Sequence, residues 1–469
     1  MNLTENTIHN DVIAAISTAP GMGAIAVVRL SGKGSIALVD SIFESAINKK
    51  LINQKPYTVH FGKIMDKESV LDEVLITVFH APHSFTGEES VEIACHGSIY
   101  IQQKLMEVLI HAGARMAEAG EYTRRAFANG KFDLSQAEAV ADLIASTSAT
   151  AHKVSLNQMR GGFTNKIAKL RDKLLQFVSL IELELDFSEE DVEFANRETL
   201  MELTVEVEKE IDKLAKSFSL GNVIKNGIPV AIIGETNAGK STLLNLLLEE
   251  DKAIVSDIHG TTRDVIEDVI NIQGISFRFI DTAGIRSTSD EIEMMGIKRT
   301  YQKIEQASIV LWVIDLTTPN SKIKELAEAV VPKLKDKHTV LLFNKADLLL
   351  DKELDKKQNL LKELDTERLF ISAKNEDNIP TLHELLVKAA HVPSIGEADV
   401  IVTNMRHYQA LVKAHTAIER VKEGLEAEIS HDFLAQDIRE CMFHLGEITG
   451  HISTDEILGN IFAHFCIGK

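Results

Sequence analysis

The sequence predicts a multidomain chain: a small α+β domain, then an all-α helical domain written in two segments, with an α/β domain carrying a phosphate-binding loop inserted between them. Three observations predict it. Over residues 1–127, short apolar runs such as "AIAVVRLSG", "VLITVFHA" and "VEIACHG" read as strands with helices between them. Residues 133–220 and 404–465 carry apolar side chains at helical spacing. Between those segments "IPVAIIGETNAGKSTLLNLLL" reads as an apolar strand, a glycine-rich turn and a helix start. The expected divisions are 1–127 for the α+β domain, 128–225 for the first helical part, 226–390 for the insert and 391–469 for the second helical part.

Length and charge bound the rest. A chain of 469 residues holds two to four domains with full cores. Fifty Lys and Arg against 70 Asp and Glu give a formal charge of -20, which excludes a whole-surface nucleic-acid binder; any RNA contact is a local patch or belongs to a partner. Cys95, Cys441 and Cys466 are too few and too scattered for a disulfide framework or a metal knuckle, the profile of a reducing compartment. The start "MNLTENTIHNDVIAAISTAP" has no basic segment followed by an apolar one, and no apolar run approaches the ~18 residues of a membrane span. A cytoplasmic protein without a membrane partner is expected.

In the first helical part, Ile167, Leu170, Leu174, Val178, Ile181 and Leu185 define one face. The acidic stretch "SEEDVEFANRETLMELTVEVEKEIDKL" reads as a solvated helical face. The second part reads through "MRHYQALVKAHTAIERV" and "EILGNIFAHFC". Neither part has an obvious core of its own; if the two pack together, the domain between them is an insertion, which loop entropy tolerates provided that its ends lie close.

The insert carries the chemistry. Gly234, Gly239, Lys240 and Ser241 make the pattern GxxxxGK[ST] in its strand-to-helix context. Backbone N–H groups of Asn237, Ala238, Gly239, Lys240, Ser241 and Thr242 are placed to wrap phosphates; Lys240 neutralises the outer ones and Ser241 offers its hydroxyl to Mg²⁺. In "VLLFNKADLL" a strand delivers Asn344, Lys345 and Asp347 to its carboxyl end. The Asp347 carboxylate accepts from the two N–H groups on guanine's edge, and adenine lacks the exocyclic amine there. "FISAK" sets Ser372, Ala373 and Lys374 to close over the same ring. These motifs predict a Ras-like GTPase domain.

Two switch segments lie between. "SDIHGTTRDV" supplies Ser256, Asp257, Ile258, His259, Gly260, Thr261 and Thr262, with Thr262 a second Mg²⁺ ligand. "FRFIDTAGIR" supplies Asp281, Thr282, Ala283 and Gly284, with Asp281 holding the metal's water shell and Gly284 free to turn toward the terminal phosphate. Ile285 follows, where Ras-like enzymes place a glutamine. Ile285 cannot orient water, so this GTPase must do so by other means.

In the order GxxxxGKS, GTTRD, DTAGIR and NKAD, with "SFTGEESVEIACHG" and "GEYTRRAFANGKFDLSQAEAVADLI" upstream and a Cys-Ile-Gly-Lys ending, the chain resembles the MnmE (TrmE) family of tRNA-modifying GTPases nearly end to end. It departs from the family pattern at Thr236, where proline is common, and at Ser98, where glycine is common.

The resemblance implies a K⁺ ion beside the phosphates in place of an arginine finger, held by Asn237, Ser256, Ile258 and Thr261, and Glu293 as the water-orienting catalytic acid beside Lys240. Such a finger contributes roughly 10³ to 10⁵ in rate. Read alone, Glu293 is one acid among several on a solvated helix start. The resemblance also implies a folate-binding N-terminal domain that pairs in a homodimer, with Arg29, Glu92, Lys131 and Lys469 contacting 5,10-methylene- or 5-formyl-tetrahydrofolate. Read alone, Arg29, Glu92 and Lys131 are each more simply members of a surface ion pair.

Cys466 remains open between a reactive or positioning thiol of that site and a packed helix residue, with His464 as its neighbouring base or another packed side chain. The terminal residues fit a prenylation box poorly. The implied activity is K⁺-dependent GTP hydrolysis coupled to the addition of an aminomethyl or carboxymethylaminomethyl group at carbon 5 of a tRNA wobble uridine. The implied partner is an MnmG-like protein that carries FAD, in a heterotetramer. The alternatives are a ribosome-assembly regulator, whose KH-type GXXG loop is not found after residue 390, and a folate enzyme with a vestigial G domain, against which the intact Lys240, Asp281 and Asp347 stand.

Overall fold

The computed structural model describes residues 11–186, 197–252, 268–280, 301–350, 366–391, 399–452 and 455–463, together with 353–354, 357, 360–362, 364, 393, 396, 465 and 468. Two compact units make up the chain. One draws on residues 1–144, 155–212 and 409–469, the other on 145–154 and 213–408.

The first unit holds a seven-stranded sheet of β1 (Ile13–Ile16), β2 (Ile25–Ser31), β3 (Phe43–Ser45), β4 (Thr58–Asp66), β5 (Ser69–Phe79), β6 (Ser90–His96) and β7 (Arg115–Met116). The order is β3-β4-β5-β6-β2-β1-β7, and every pairing is antiparallel except β1 with β7. Strand alternation sends Val28, Leu30, Ile76, Val78, Val91 and Ile93 to one face. There they bury against the helices Ser35–Ile42 and Ile99–His111 through Ile36, Val39, Leu105 and Leu109. The three apolar runs read as strands are β2, β5 and β6. On the opposite face β2 and β6 pair Arg29 with Glu92, which no spacing in the sequence reveals.

The helical parts before and after the insert do pack on each other. Helix Gly162–Asp186 lies against helix His431–Thr449. Ile167, Leu170, Leu174, Val178 and Ile181 are buried on the first, and Leu434, Ile438, Cys441, Leu445 and Ile448 on the second. Arg439 pairs with Glu182 across them, and Lys422 Nζ meets Glu208 Oε2 at 2.9 Å. The described part of the acidic stretch lies in helix Arg197–Asn226 and buries Leu200, Val207, Ile211 and Leu214 at helical spacing. Helix Asp455–Ala463 then returns to helices Glu121–Ala128 and Leu134–Ala145, where Phe462 buries against Leu134 and Ala137 beside Phe127.

The second unit is built on β8 (Ile228–Ile233), β9 (Asp268–Ile272), β10 (Ile275–Phe279), β11 (Ile309–Asp315), β12 (His338–Asn344) and β13 (Glu367–Phe370). The order is β13-β12-β11-β8-β10-β9, parallel except for the hairpin β9–β10. A parallel sheet is covered on both faces, and the sequence of β12 obeys this. Val340 and Leu342 enter one core with Leu243 and Leu247 of helix Lys240–Lys252, whereas Leu341 and Phe343 enter the other with Ile323 of helix Asn320–Val330. Strand β8 lies between β10 and β11, so the chain leaves it at the point where the strand order reverses. In open α/β sheets that switch point, at the carboxyl ends of the strands, is where ligands bind.

Candidate nucleotide site

The loop after β8 turns through three left-handed residues, Gly234 at φ 147°, Asn237 at 62° and Gly239 at 100°. Only glycine fits at two of them. A Cβ on Gly234 would lie 2.2 Å from the Val313 carbonyl oxygen, and one on Gly239 would lie 2.1 Å from Asn344 Nδ2. The loop thus wraps tightly before helix Lys240–Lys252 begins, the arrangement that presents N–H groups and the positive end of a helix to an anion.

Lys240 folds back over this loop, its Nζ donating to the carbonyls of Gly234 at 2.9 Å and Glu235 at 2.5 Å. Burial, and then the charge of Lys303, push its pKa down, with Glu235 opposing. A phosphate in the loop would set negative charge against the ammonium and offset both effects. The donor set therefore fits a polyphosphate. Ser241 and Thr242 open the helix beside it.

Asn344 ends β12 and is buried. Its Nδ2 donates to the Ala238 carbonyl at 2.8 Å, and its Oδ1 accepts from the Ala373 N–H at 3.0 Å. One side chain thus joins the phosphate loop, the end of β12 and the segment after β13. Lys345 follows in a left-handed conformation, φ 65°, with Nζ 2.6 Å from Asp315 Oδ2. Burial raises the Asp315 pKa, but the bonds from Lys345 and Thr317 outweigh it and hold the carboxyl below its ordinary range. Asp347 lies exposed in the short turn Ala346–Leu348, open to a ligand's N–H groups. Ser372 is buried and closes its own loop by backbone bonds with Asp377, and Lys374 is exposed. The two base-binding stretches read from the sequence are therefore brought together, through Asn344. Asp315 was not singled out in the sequence; its signal there is an acid ending the apolar run "IVLWVID".

Ser256, Asp257, Ile258, His259, Gly260, Thr261, Thr262, Asp281, Thr282, Ala283, Gly284, Ile285, Glu293, His464, Cys466 and Lys469 lie outside the described residues.

In the first unit, Arg29 and Glu92 meet each other. Arg29 Nη2 and Nε both donate to Glu92 Oε1, at 2.7 and 3.0 Å, which leaves Oε2 for a ligand's donors. The guanidinium lies 5.5 Å from the centre of the Phe85 ring and 5.8 Å from that of Tyr122. Phe85 in turn packs at 5.6 Å against Phe132, next to Lys131, whose Nζ donates to the Pro82 carbonyl at 3.1 Å. Aromatic walls, a guanidinium and a half-used carboxylate suit a flat heterocycle with an N–H edge. The chain's end comes to this unit's sheet: Ser17 Oγ donates to the Gly468 carbonyl at 3.4 Å. Cys95 and Cys441 are buried, which pushes their thiols up to about 11 and about 12. Both are packing residues. No helix among the described residues is long and apolar enough to cross a membrane.

Comparison with known proteins identifies the family. The chain matches the MnmE helical domain over residues 134–466 and the N-terminus of the GTP-binding protein TrmE over 12–131. The tRNA modification GTPase MnmE of Bacteroides thetaiotaomicron is 58% identical over 466 residues, covering 98% of this chain and 100% of that protein. Its counterpart in Bacteroides fragilis is 59% identical over 466 residues, with 98% and 100% covered. That of Flavobacterium johnsoniae is 51% identical over 465 residues, again with 98% and 100% covered. A likeness of this degree runs through the α+β, helical and nucleotide-binding parts alike, and the chain belongs to the MnmE family of tRNA modification GTPases.

Proposed function

We propose that this GTPase is K⁺-dependent and works as a homodimer with an MnmG-like flavoprotein, in a heterotetramer that adds an aminomethyl or carboxymethylaminomethyl group to carbon 5 of the wobble uridine of certain tRNAs. The observation that supports the nucleotide half is the Asn344 bridge, which joins the phosphate loop to the segment containing Ala373, with Asp347 three residues after Asn344 along the chain. In this reading Asp347 selects guanine, Lys240 balances phosphate charge, and Ser241 and Thr262 hold Mg²⁺. Asn237, Ser256, Ile258 and Thr261 hold K⁺, and Glu293 orients the attacking water.

The folate half rests on Arg29 and Glu92. A tetrahydrofolate carrying a one-carbon unit supplies the carbon, Glu92 Oε2 accepts from the pterin edge, and Arg29, Lys131 and Lys469 face carboxylates. Cys466 sits near enough in sequence to Gly468 to serve this site, and FAD belongs to the partner. The complex works in the cytoplasm. GTP hydrolysis drives a conformational change in the complex rather than the carbon chemistry.

The test is the cation. Hydrolysis is expected to be much faster in KCl than in NaCl at equal ionic strength, and Asn237→Ala to abolish the difference while GTP still binds. Equal wild-type rates in the two salts would refute the K⁺ assignment.

A further inference from the structure

Lys345 is held from behind. Strands β11 and β12 run parallel in register, so Asp315, the last residue of β11, lies opposite Asn344, the last residue of β12. The left-handed backbone at Lys345 is uncommon for a side-chain-bearing residue, and here the side chain ends on β11, with Nζ 2.6 Å from Asp315 Oδ2.

Asp315 is itself held at both carboxylate oxygens, and the backbone after it is tied down. Its Oδ1 accepts from the Thr317 N–H at 2.8 Å and from Thr317 Oγ1 at 2.7 Å. The Leu316 N–H donates to the Asn344 carbonyl at 3.1 Å, and Lys357 Nζ donates to the carbonyls of Leu316 at 2.7 Å and Thr318 at 2.8 Å. The Asp315 side chain is 13% exposed and that of Lys345 31%, so the pair is partly shielded from solvent. A lysine has four rotatable bonds, and ordering it on ligand binding costs entropy. In this chain the ordering is done before the ligand arrives.

We propose that Asp315 is a positioning residue for guanine-nucleotide retention: it holds Lys345, and through it the loop from Asn344 to Asp347, in the conformation that the bound base requires. The proposal rests on reading that loop as the base-binding segment. Asp315 touches no nucleotide; it acts through Lys345. Because changes within one site act mainly on dissociation, the effect belongs in the release rate.

The experiment follows release of a fluorescent GDP analogue from the full-length dimer, comparing wild type, Asp315→Asn, Asp315→Glu, Lys345→Met and the Asp315→Asn/Lys345→Met double variant. Wild type is first competed with ADP, and absence of a guanine preference there would overturn the base-site reading itself. With that preference present, Asp315→Asn is expected to release GDP about tenfold faster, equivalent to ~1.4 kcal/mol. Asp315→Glu should recover part of the loss, and Lys345→Met should add little to Asp315→Asn, since the two act as one unit. Release from Asp315→Asn at the wild-type rate, or effects that simply multiply in the double variant, would overturn the proposal. If Asp315→Asn melts too low to assay, Lys345→Met alone decides: wild-type release would overturn the proposal, and faster release would support it.

Discussion

The Asn344 carboxamide donates to the Ala238 carbonyl at 2.8 Å across 106 residues of sequence, and this bond makes one site of two loops. The other end of the same amide accepts from Ala373, so both of its polar atoms are used within the core. Replacing Asn344 by Ala orphans the Ala238 carbonyl and the Ala373 N–H, each at a cost of ~1–3 kcal/mol. Asn344→Ala is expected to weaken GDP binding at least about tenfold and to lower the melting temperature by several degrees. Fluorescence titration and calorimetry check the two effects. Unchanged affinity would show that the bridge does not organise the site.

Gly239 and Gly130 provide a matched comparison. Both have positive φ, 100° and 67°, but a Cβ on Gly239 collides with Asn344 whereas one on Gly130 meets nothing within 4 Å. Gly130→Ala is therefore expected to cost only the left-handed penalty of about 1–2 kcal/mol and to leave GDP affinity alone. Gly239→Ala should cost more stability than that and should abolish tight GDP binding, because Asn344 cannot move without breaking its own bonds. Denaturant melts with nucleotide titrations separate the two variants.

An acid-sensitive network ties the start of the first unit to its helix Glu121–Ala128. Asp11 meets Arg115 Nε at 2.6 Å and Arg125 Nη2 at 2.8 Å, and buried Glu121 meets the same two arginines. Burial pushes the Asp11 carboxyl up, but the two arginines outweigh it and hold it at about 2; Glu121 is lowered in the same way. A depressed carboxylate stabilises the fold above its unfolded pKa of about 3.9 and loses that contribution as pH falls through the folded value. Thermal stability is expected to drop as pH falls from about 4 toward 2, and less steeply in Asp11→Asn. Identical pH profiles for the two chains would contradict the assignment.

What the sequence disclosed followed from local spacing. The strand, turn and helix around Lys240 and the helical face from Ile167 to Ile181 depend on residues within a few turns of each other, and both stand in the fold as read. Strands β1 and β4 were not singled out: β1 has only four residues, and β4 alternates exposed Val59 and Phe61 with the buried Gly62 and Ile64 in no clear apolar run. The relations that make the sites are long-range. Arg29 and Glu92 are paired by β-sheet register 63 residues apart, and Asp315 reaches Lys345 across 30. Neither separation leaves a periodic trace, so a motif could mark Arg29, Glu92 or Lys345 without revealing its partner.

The most direct measurement of the central claim is mass spectrometry of tRNA nucleosides from cells that lack this gene and from the same cells given back either the wild-type chain or Lys240→Ala. Lys240 anchors the phosphate loop, bonded to Gly234 and Glu235, so its loss removes GTP chemistry at the site. The account predicts that the carbon-5 aminomethyl-type wobble uridines disappear with the gene, return with the wild-type chain and do not return with Lys240→Ala. Full modification without the gene, or full restoration by Lys240→Ala, would contradict it.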